Sequence, residues 1–354
     1  MQINDLLKMA ISHNASDLHL KVGSYPVLRV NGELVIQEDY ARITGEDMNV
    51  IFNEVTDKTQ REIFASTLEA DFAYESDGIG RFRINVFQQV GSIGMACRPI
   101  RKEIPTLEEL GLPEICKTLA SRGSGLVIVT GPTGCGKSTT LAAMINYLNH
   151  TVKRKIITIK DPIEYLHHDI NCIISQREIG RDTRSFASAL KHAMRQDPDV
   201  IMVGEMRDLE TMAAVLTAAE TGHLVLTTLH TLGAAEAIDR FIDVFPPHQQ
   251  QQVRVQLAIV LEGVLYQLLI PRADNCGRVA AVEVMLAIPA IRNLIREGKT
   301  YQMMNTIQTG TQYGMQSLNQ SLAELCQKKI ITREQALARS PDTEELTEML
   351  GSHK

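Results

Sequence analysis

The stretch Gly131-Pro132-Thr133-Gly134-Cys135-Gly136-Lys137-Ser138-Thr139 brings together glycines, a lysine and hydroxyls at the spacing of a phosphate-binding loop. Glycines let successive backbone N–H groups turn inward around a phosphate chain, and a helix starting at the end of the loop adds its positive dipole end. In such a loop Lys137 reaches the β- and γ-phosphates and Ser138 offers a hydroxyl to Mg²⁺, so a nucleoside triphosphate uses every group present. The competing reading is a glycine-rich turn. Against it, the apolar run Leu126 to Thr130 precedes the loop, and Leu141, Met144, Ile145 and Leu148 follow at helical spacing, giving strand, loop and helix in the required order.

Three further places supply candidate chemistry. The apolar run Asp199-Val200-Ile201-Met202-Val203-Gly204-Glu205 ends in a carboxylate, which places Glu205 in the Walker B role beside Mg²⁺ or its water shell. The run Ile156 to Ile159 leads into Lys160-Asp161-Pro162-Ile163-Glu164, where Glu164 is the candidate general base that orients or deprotonates water; the competing reading makes Asp161 and Glu164 turn and cap residues. His223 and His230 bracket Leu224 to Leu229, and an imidazole there could hydrogen-bond the γ-phosphate. A lone histidine is more often structural, and no cysteine or carboxylate completes a metal set.

These groups need elements to hold them. From Leu126 onward strand and helix patterns alternate through 156–159, 186–194, 200–203, 212–219 and 224–229, which predicts a mainly parallel α/β sheet with its ligand at the carboxyl ends of the strands. Residues 1–100 mix strands and helices without that rhythm and read as a small α+β domain. They carry a hairpin signal at Asn31-Gly32, a capping pair at Thr44 and Asp47, and a strand with Phe82, Ile84 and Val86 on one face and Arg81, Arg83 and Asn85 on the other. Residues 101–105 are the expected linker, closed by Pro105, and 106–354 the second domain, opened by a Thr106/Glu109 capping box. Past Pro247 helical patterns dominate, with a strand pair expected around 278–285 and a frayed polar tail from Pro341.

A chain of 354 residues suggests two domains. No window is apolar enough to cross a bilayer, and the first residues lack the parts of a signal peptide, so the expected location is the cytoplasm. Cys97, Cys116, Cys135, Cys172, Cys276 and Cys326 form no CxxC pair, which fits reduced thiols better than structural zinc. A net charge of −6, with no tryptophan and no aromatic stripe, disfavours a dedicated nucleic-acid binder.

GPTGCGKSTT, DPIEY, QREIG, DPDVIMVGEMRDLET, AAETGHLVL and TLHT, in that order, resemble the secretion ATPases of type IV pilus and type II secretion systems. AIRNLIREGK at 290–299, then IQTG and GMQSLNQSL, resembles the pilus-retraction branch of that family, and the likeness begins at SDLHL, residues 16–20. The resemblance implies a PAS-like N-terminal domain, a RecA-like P-loop ATPase core with a helical C-terminal part, ATP and Mg²⁺ as cofactors, and a homohexamer. It further implies action on the pilus platform protein at the cytoplasmic face of the inner membrane, with membrane association through partners and a second retraction ATPase as a further partner. It assigns Lys137 and Ser138 to Walker A, Glu164 to catalysis, Glu205 to Walker B and His223 with His230 to a histidine box. It leads us to expect arginines of the N-terminal domain, foremost Arg83 and Arg98 with Arg81 and Arg101 as neighbours, to reach nucleotide across a subunit interface. Without the resemblance, a solvated strand face is the better reading of those arginines.

Three residues depart from the family pattern: Lys160 stands where glutamate is usual, Cys135 where serine is commoner, and Thr227 where glycine is usual. Cys135 would be open to oxidation beside the phosphates. Alternatives to a retraction motor are an assembly or secretion ATPase of the same superfamily, a nucleic-acid translocase on the same core, and a nucleotide-binding ring without useful turnover. In Ala290 to Lys299, Ile291, Leu294 and Ile295 share one face, which leaves Arg292, Arg296 and Lys299 as an expected free basic side.

Overall fold

The computed structural model describes residues 2–30, 32–100, 103–274 and 276–351; Asn31 of the expected hairpin and Arg101 and Lys102 of the expected linker lie outside the described residues. The chain forms two compact units, residues 1–103 together with 161–166, and residues 104–160 together with 167–354.

The first unit contains α1 (Ile3–Ser12), β1 (Asp17–Lys21), β2 (Val27–Val30), β3 (Glu33–Ile36), α2 (Gly45–Val55), α3 (Lys58–Thr67), β4 (Glu69–Ser76), β5 (Gly80–Gln89) and β6 (Ser92–Ile100). Its six strands form an antiparallel sheet in the order β3-β2-β1-β6-β5-β4. Alternation decides which face is core: Phe82, Ile84 and Val86 are buried with Ile3, Leu6 and Leu7 of α1, while Arg81, Arg83 and Asn85 point the other way. Thr44 and Asp47 form a reciprocal capping box that starts α2 where the sequence places it.

The second unit contains α4 (Ile115–Ala120), β7 (Gly125–Thr130), α5 (Lys137–Thr151), β8 (Lys155–Lys160), β9 (Ile173–Glu178), α6 (Phe186–Ala193), β10 (Val200–Val203), α7 (Leu209–Glu220), β11 (Leu224–Thr228), α8 (Ala234–Asp243), α9 (Pro247–Val260), β12 (Leu261–Pro271), β13 (Arg278–Leu286), α10 (Pro289–Glu297), α11 (Met303–Thr309), α12 (Leu318–Gln327), α13 (Arg333–Leu337) and α14 (Thr343–Leu350). Its sheet runs β13-β12-β7-β11-β10-β8-β9, parallel from β12 to β9 with β13 antiparallel at the edge. Both faces are covered: Ile157, Ile201 and Val225 pack with Leu190, Val215 and Phe241, and Val127, Ile156 and Leu226 pack with Leu141, Met144 and Leu119. Strands buried on both sides must be apolar throughout, which is why β7, β10 and β11 stand out as continuous apolar runs.

Four features differ from the sequence reading. Residues 173–178, which lie between the patterns read at 156–159 and 186–194 and belong to neither, form the edge strand β9, whose mostly half-exposed side chains need no apolar pattern. Strand β12 begins at the residue after α9 ends, with no Gly or Pro to mark the junction; Leu261 simply adopts an extended backbone. The Thr106/Glu109 pair makes both bonds of a capping box, but the box closes a turn. The tail is ordered into α14: Asp342 accepts from the N–H groups of Glu344 and Glu345, and Leu346 is fully buried with Leu318 and Leu322.

Leu346→Ala removes a buried isobutyl group, so we expect a loss of about 2–5 kcal/mol in the unit that contains α14. Urea unfolding followed by circular dichroism measures this, and an unchanged midpoint would return the tail to a frayed state.

Candidate nucleotide-binding site

The loop between β7 and α5 depends on glycine at two places. Gly131 has φ +142°, and a Cβ there would come within 2.4 Å of the Gln267 carbonyl oxygen; Gly136, at φ +91°, caps α5 in the left-handed region. Lys137 is the first residue of α5 and is 8% exposed. Its ammonium donates to the carbonyl oxygens of Gly131 at 2.7 Å and Pro132 at 2.9 Å, with Nδ1 of His230 at 3.4 Å. Burial, then the Lys137 charge, pulls the His230 pKa below its ordinary value, which favours the neutral ring whose Nδ1 can accept from the ammonium. Glu205 Oε2 lies 3.8 Å from Nε2 of His230, and Oε1 pairs with Arg207 at 2.8 Å. Lys137, His230 and Glu205 therefore form one line of contacts at the carboxyl edge of the sheet.

Hydroxyls hold that edge together. Thr130, at the end of β7, meets the Thr231 hydroxyl at 2.8 Å and accepts from the Thr231 N–H at 3.0 Å, which fixes the residue after His230. Thr228 donates to the Gly204 carbonyl at 2.6 Å, which fixes the residue before Glu205.

Sequence reasoning missed Gln267. From β12, and 2% exposed, its amide nitrogen donates to the Cys135 carbonyl in the loop while its amide oxygen accepts from Thr140 in α5 at 2.8 Å. One side chain thus ties the loop to its helix. The only sequence signal is a lone amide in the apolar run from Leu261 to Ile270. Cys135 is 3% exposed, and burial raises its thiol pKa, which disfavours the thiolate needed for oxidation.

Ser138 and Glu205 are donors of the type Mg²⁺ takes, but each already meets a protein cation: Lys160 donates to the Ser138 hydroxyl at 2.9 Å, and Arg207 holds Glu205. No group of three or more His, Cys, Asp or Glu side chains able to hold a metal occurs among the described residues. The donor set fits a metal carried mainly by phosphate and water.

Other expected site residues lie elsewhere. His223 precedes β11, level with Gly125 at the start of β7, and bonds locally to the Ala218 carbonyl and Thr221 hydroxyl. The length of β11, about 16 Å at ~3.3 Å per residue, separates it from the phosphate edge. Bracketing a strand places two residues at opposite ends of it, so the histidines are not joint ligands here. In the first unit Arg83 and Arg98 are register partners on β5 and β6, each held by an aspartate of the same sheet: Arg83 by Asp71 at 3.0 Å, Arg98 by Asp17 at 2.8 Å. The bond to Asp71 foremost raises the Arg83 pKa, with Glu164 and Asp161 of the same unit adding to it. Arg292 is not on a free basic face. It donates to the Ala258 and Ile259 carbonyls at the end of α9, at 2.7 and 2.6 Å, and to Glu262 at 3.0 Å. Lys299 pairs with Glu297 at 2.8 Å.

Residues 106–339 match the family model described as Type II/IV secretion system protein. The chain is 48% identical over 336 residues to the type IV pilus retractation ATPase PilT of Pseudomonas aeruginosa, covering 95% of this chain and 97% of that protein. It is 43% identical over 350 residues to the type IV pilus ATPase PilU of the same organism, covering 99% and 91%. A crystal structure of the pilus retraction motor PilT with bound ADP superposes with a TM-score of 0.90 at 46% identity, covering 98% of both chains.

Gln267→Ala takes this partner from the Cys135 carbonyl and the Thr140 hydroxyl, so we expect ADP affinity to fall about five- to 150-fold, as a loss of roughly 1–3 kcal/mol implies. Isothermal titration calorimetry reads this, and wild-type affinity would show that the loop holds its shape without β12. Arg292→Ala uncaps α9 and should cost about 1–3 kcal/mol of stability in urea unfolding; an unchanged midpoint would free Arg292 for a role outside the fold.

Proposed function

The chain belongs to the Type II/IV secretion system protein family, and from that premise we propose that it is the ATP-hydrolysing motor that retracts type IV pili in twitching motility. The observation that carries this reading is the line Lys137–His230–Glu205 at the mouth of the phosphate loop, in a chain that matches a retraction ATPase over nearly the whole length of both. An exchange of partners explains how the site would take ATP. Lys137 leaves the Gly131 and Pro132 carbonyls for the β- and γ-phosphates, and the loop N–H groups with the start of α5 receive the rest of the anion. Ser138 and Glu205 would hold Mg²⁺ or its water shell, and the ion would supply neutralisation of phosphate charge. His230, neutral, in contact with Lys137 and 3.8 Å from Glu205, is the residue whose hydrogen bond changes when Lys137 moves. It is therefore the candidate reporter of the γ-phosphate. His223, at the other edge of the sheet, has no part in this.

Glu164 is proposed to orient the attacking water. Arg83 and Arg98 are proposed to stabilise phosphate charge in trans, which requires release from Asp71 and Asp17. The assembly is proposed to be a homohexamer that acts on the platform protein at the cytoplasmic face of the inner membrane, with residues 1–100 as the PAS-like domain and 106–354 as the motor domain. No nucleic acid takes part.

Lys137→Ala removes the phosphate-facing ammonium and should bring ATP turnover to background, whereas Glu164→Gln should slow turnover and keep ATP binding. Turnover near wild type in Lys137→Ala, or lost binding in Glu164→Gln, would overturn the respective role. Deleting the gene should leave cells hyperpiliated and unable to twitch; bald cells would make it an assembly ATPase.

A further inference from the structure

Lys160 is the last residue of β8, with its ammonium 2.9 Å from Oγ of Ser138 and only 8% of its surface exposed. It stands on a strand paired on both sides, not on a mobile loop: Ile159 is in register with Val203 of β10, and Lys160 with Glu178 of β9. Its stem is held from above, since a Cβ on Gly204 would fall 2.8 Å from Lys160 Cδ. Lys137 and Ser138 are the first two residues of α5, so the start of that helix carries one buried ammonium and is met, at the Ser138 hydroxyl, by a second from Lys160. A nucleoside diphosphate at that helix start would meet two fixed positive charges besides the backbone N–H groups. A divalent cation on Ser138 would share its oxygen with an ammonium and be repelled by it.

We propose that Lys160 is a built-in counter-ion for the nucleotide's phosphates, standing at the hydroxyl that would otherwise serve Mg²⁺ alone, so that nucleoside diphosphate binds with little dependence on divalent cation. This rests on the ATPase reading of the loop. Carboxylates of the protein compete for the charge, Glu178 among them, buried beside Lys160 on the neighbouring strand.

The test is ADP affinity of the full chain by isothermal titration calorimetry, in excess Mg²⁺ and in excess EDTA. In the wild type the two affinities should agree within about threefold, since two lysines already neutralise the phosphates. Lys160→Met keeps the stem and removes the charge; its affinity in EDTA should fall about tenfold or more, with a smaller loss in Mg²⁺. Lys160→Arg keeps a cation and should bind in EDTA like the wild type, and a thermal melt shows that each variant is folded. Unchanged affinity of Lys160→Met in EDTA would mean that the charge is spent within the protein and would overturn the proposal. So would a wild type that loses ADP in EDTA as steeply as Lys160→Met does. A wild type that binds ADP in neither condition would bring down the ATPase reading itself, an outcome distinct from strong binding that requires Mg²⁺.

Discussion

The phosphate loop and strand β12 meet at the limit of van der Waals approach. With 2.4 Å between an ideal Cβ at position 131 and the Gln267 carbonyl oxygen, any side chain there would push the loop off the strand. Much of the site depends on this closeness. It brings the Gln267 amide within reach of both the Cys135 carbonyl and Thr140, so the loop is held from the sheet as well as by its own helix. Because β12 is also paired with β7 along Gly263 to Tyr266, the strand that leads into the loop and the strand that braces it move as one body. A loop shaped in advance spends less binding energy on ordering itself.

Charge at the carboxyl edge is balanced within the protein. Among their contacts, Lys137 donates to two carbonyls and meets a neutral imidazole, Lys160 donates to a serine hydroxyl, and Glu205 pairs with Arg207. A buried ammonium without such partners would be costly. The carbonyls and the hydroxyl among these partners compete poorly with phosphate for a cation. The edge is thus stable and still able to exchange its contacts for an anion.

The arginines show how alike in sequence and different in role such charges can be. Arg83 and Arg98 sit in part-exposed pairs with aspartates, each worth about 0–1 kcal/mol, so leaving them costs little. Arg292 spends its guanidinium on the last carbonyls of α9 and on Glu262, and its removal would take that partner from the two carbonyls while Glu262 keeps Arg122. A helical charge pattern places Arg292 and Arg296 on the basic side of α10 but does not distinguish a cap from a free cation.

What was legible in the sequence was local. Glycine spacing, the apolar runs of β7, β10 and β11 and the capping pair at Thr44 and Asp47 report backbone freedom, burial on both faces and a helix start, each set by a few consecutive residues. From them followed the α/β class, the phosphate loop and the place of Glu205. The tertiary structure decided what depends on residues far apart in the chain. Gln267 is 132 residues from the carbonyl it holds, and Lys160 is 22 from Ser138. β9 is a strand because β8 lies beside it, and α14 is a helix because Leu346 finds a buried place with Leu318 and Leu322. His223 and His230, close in sequence, were parted by the strand between them, because a parallel sheet sends the two ends of every strand to opposite edges.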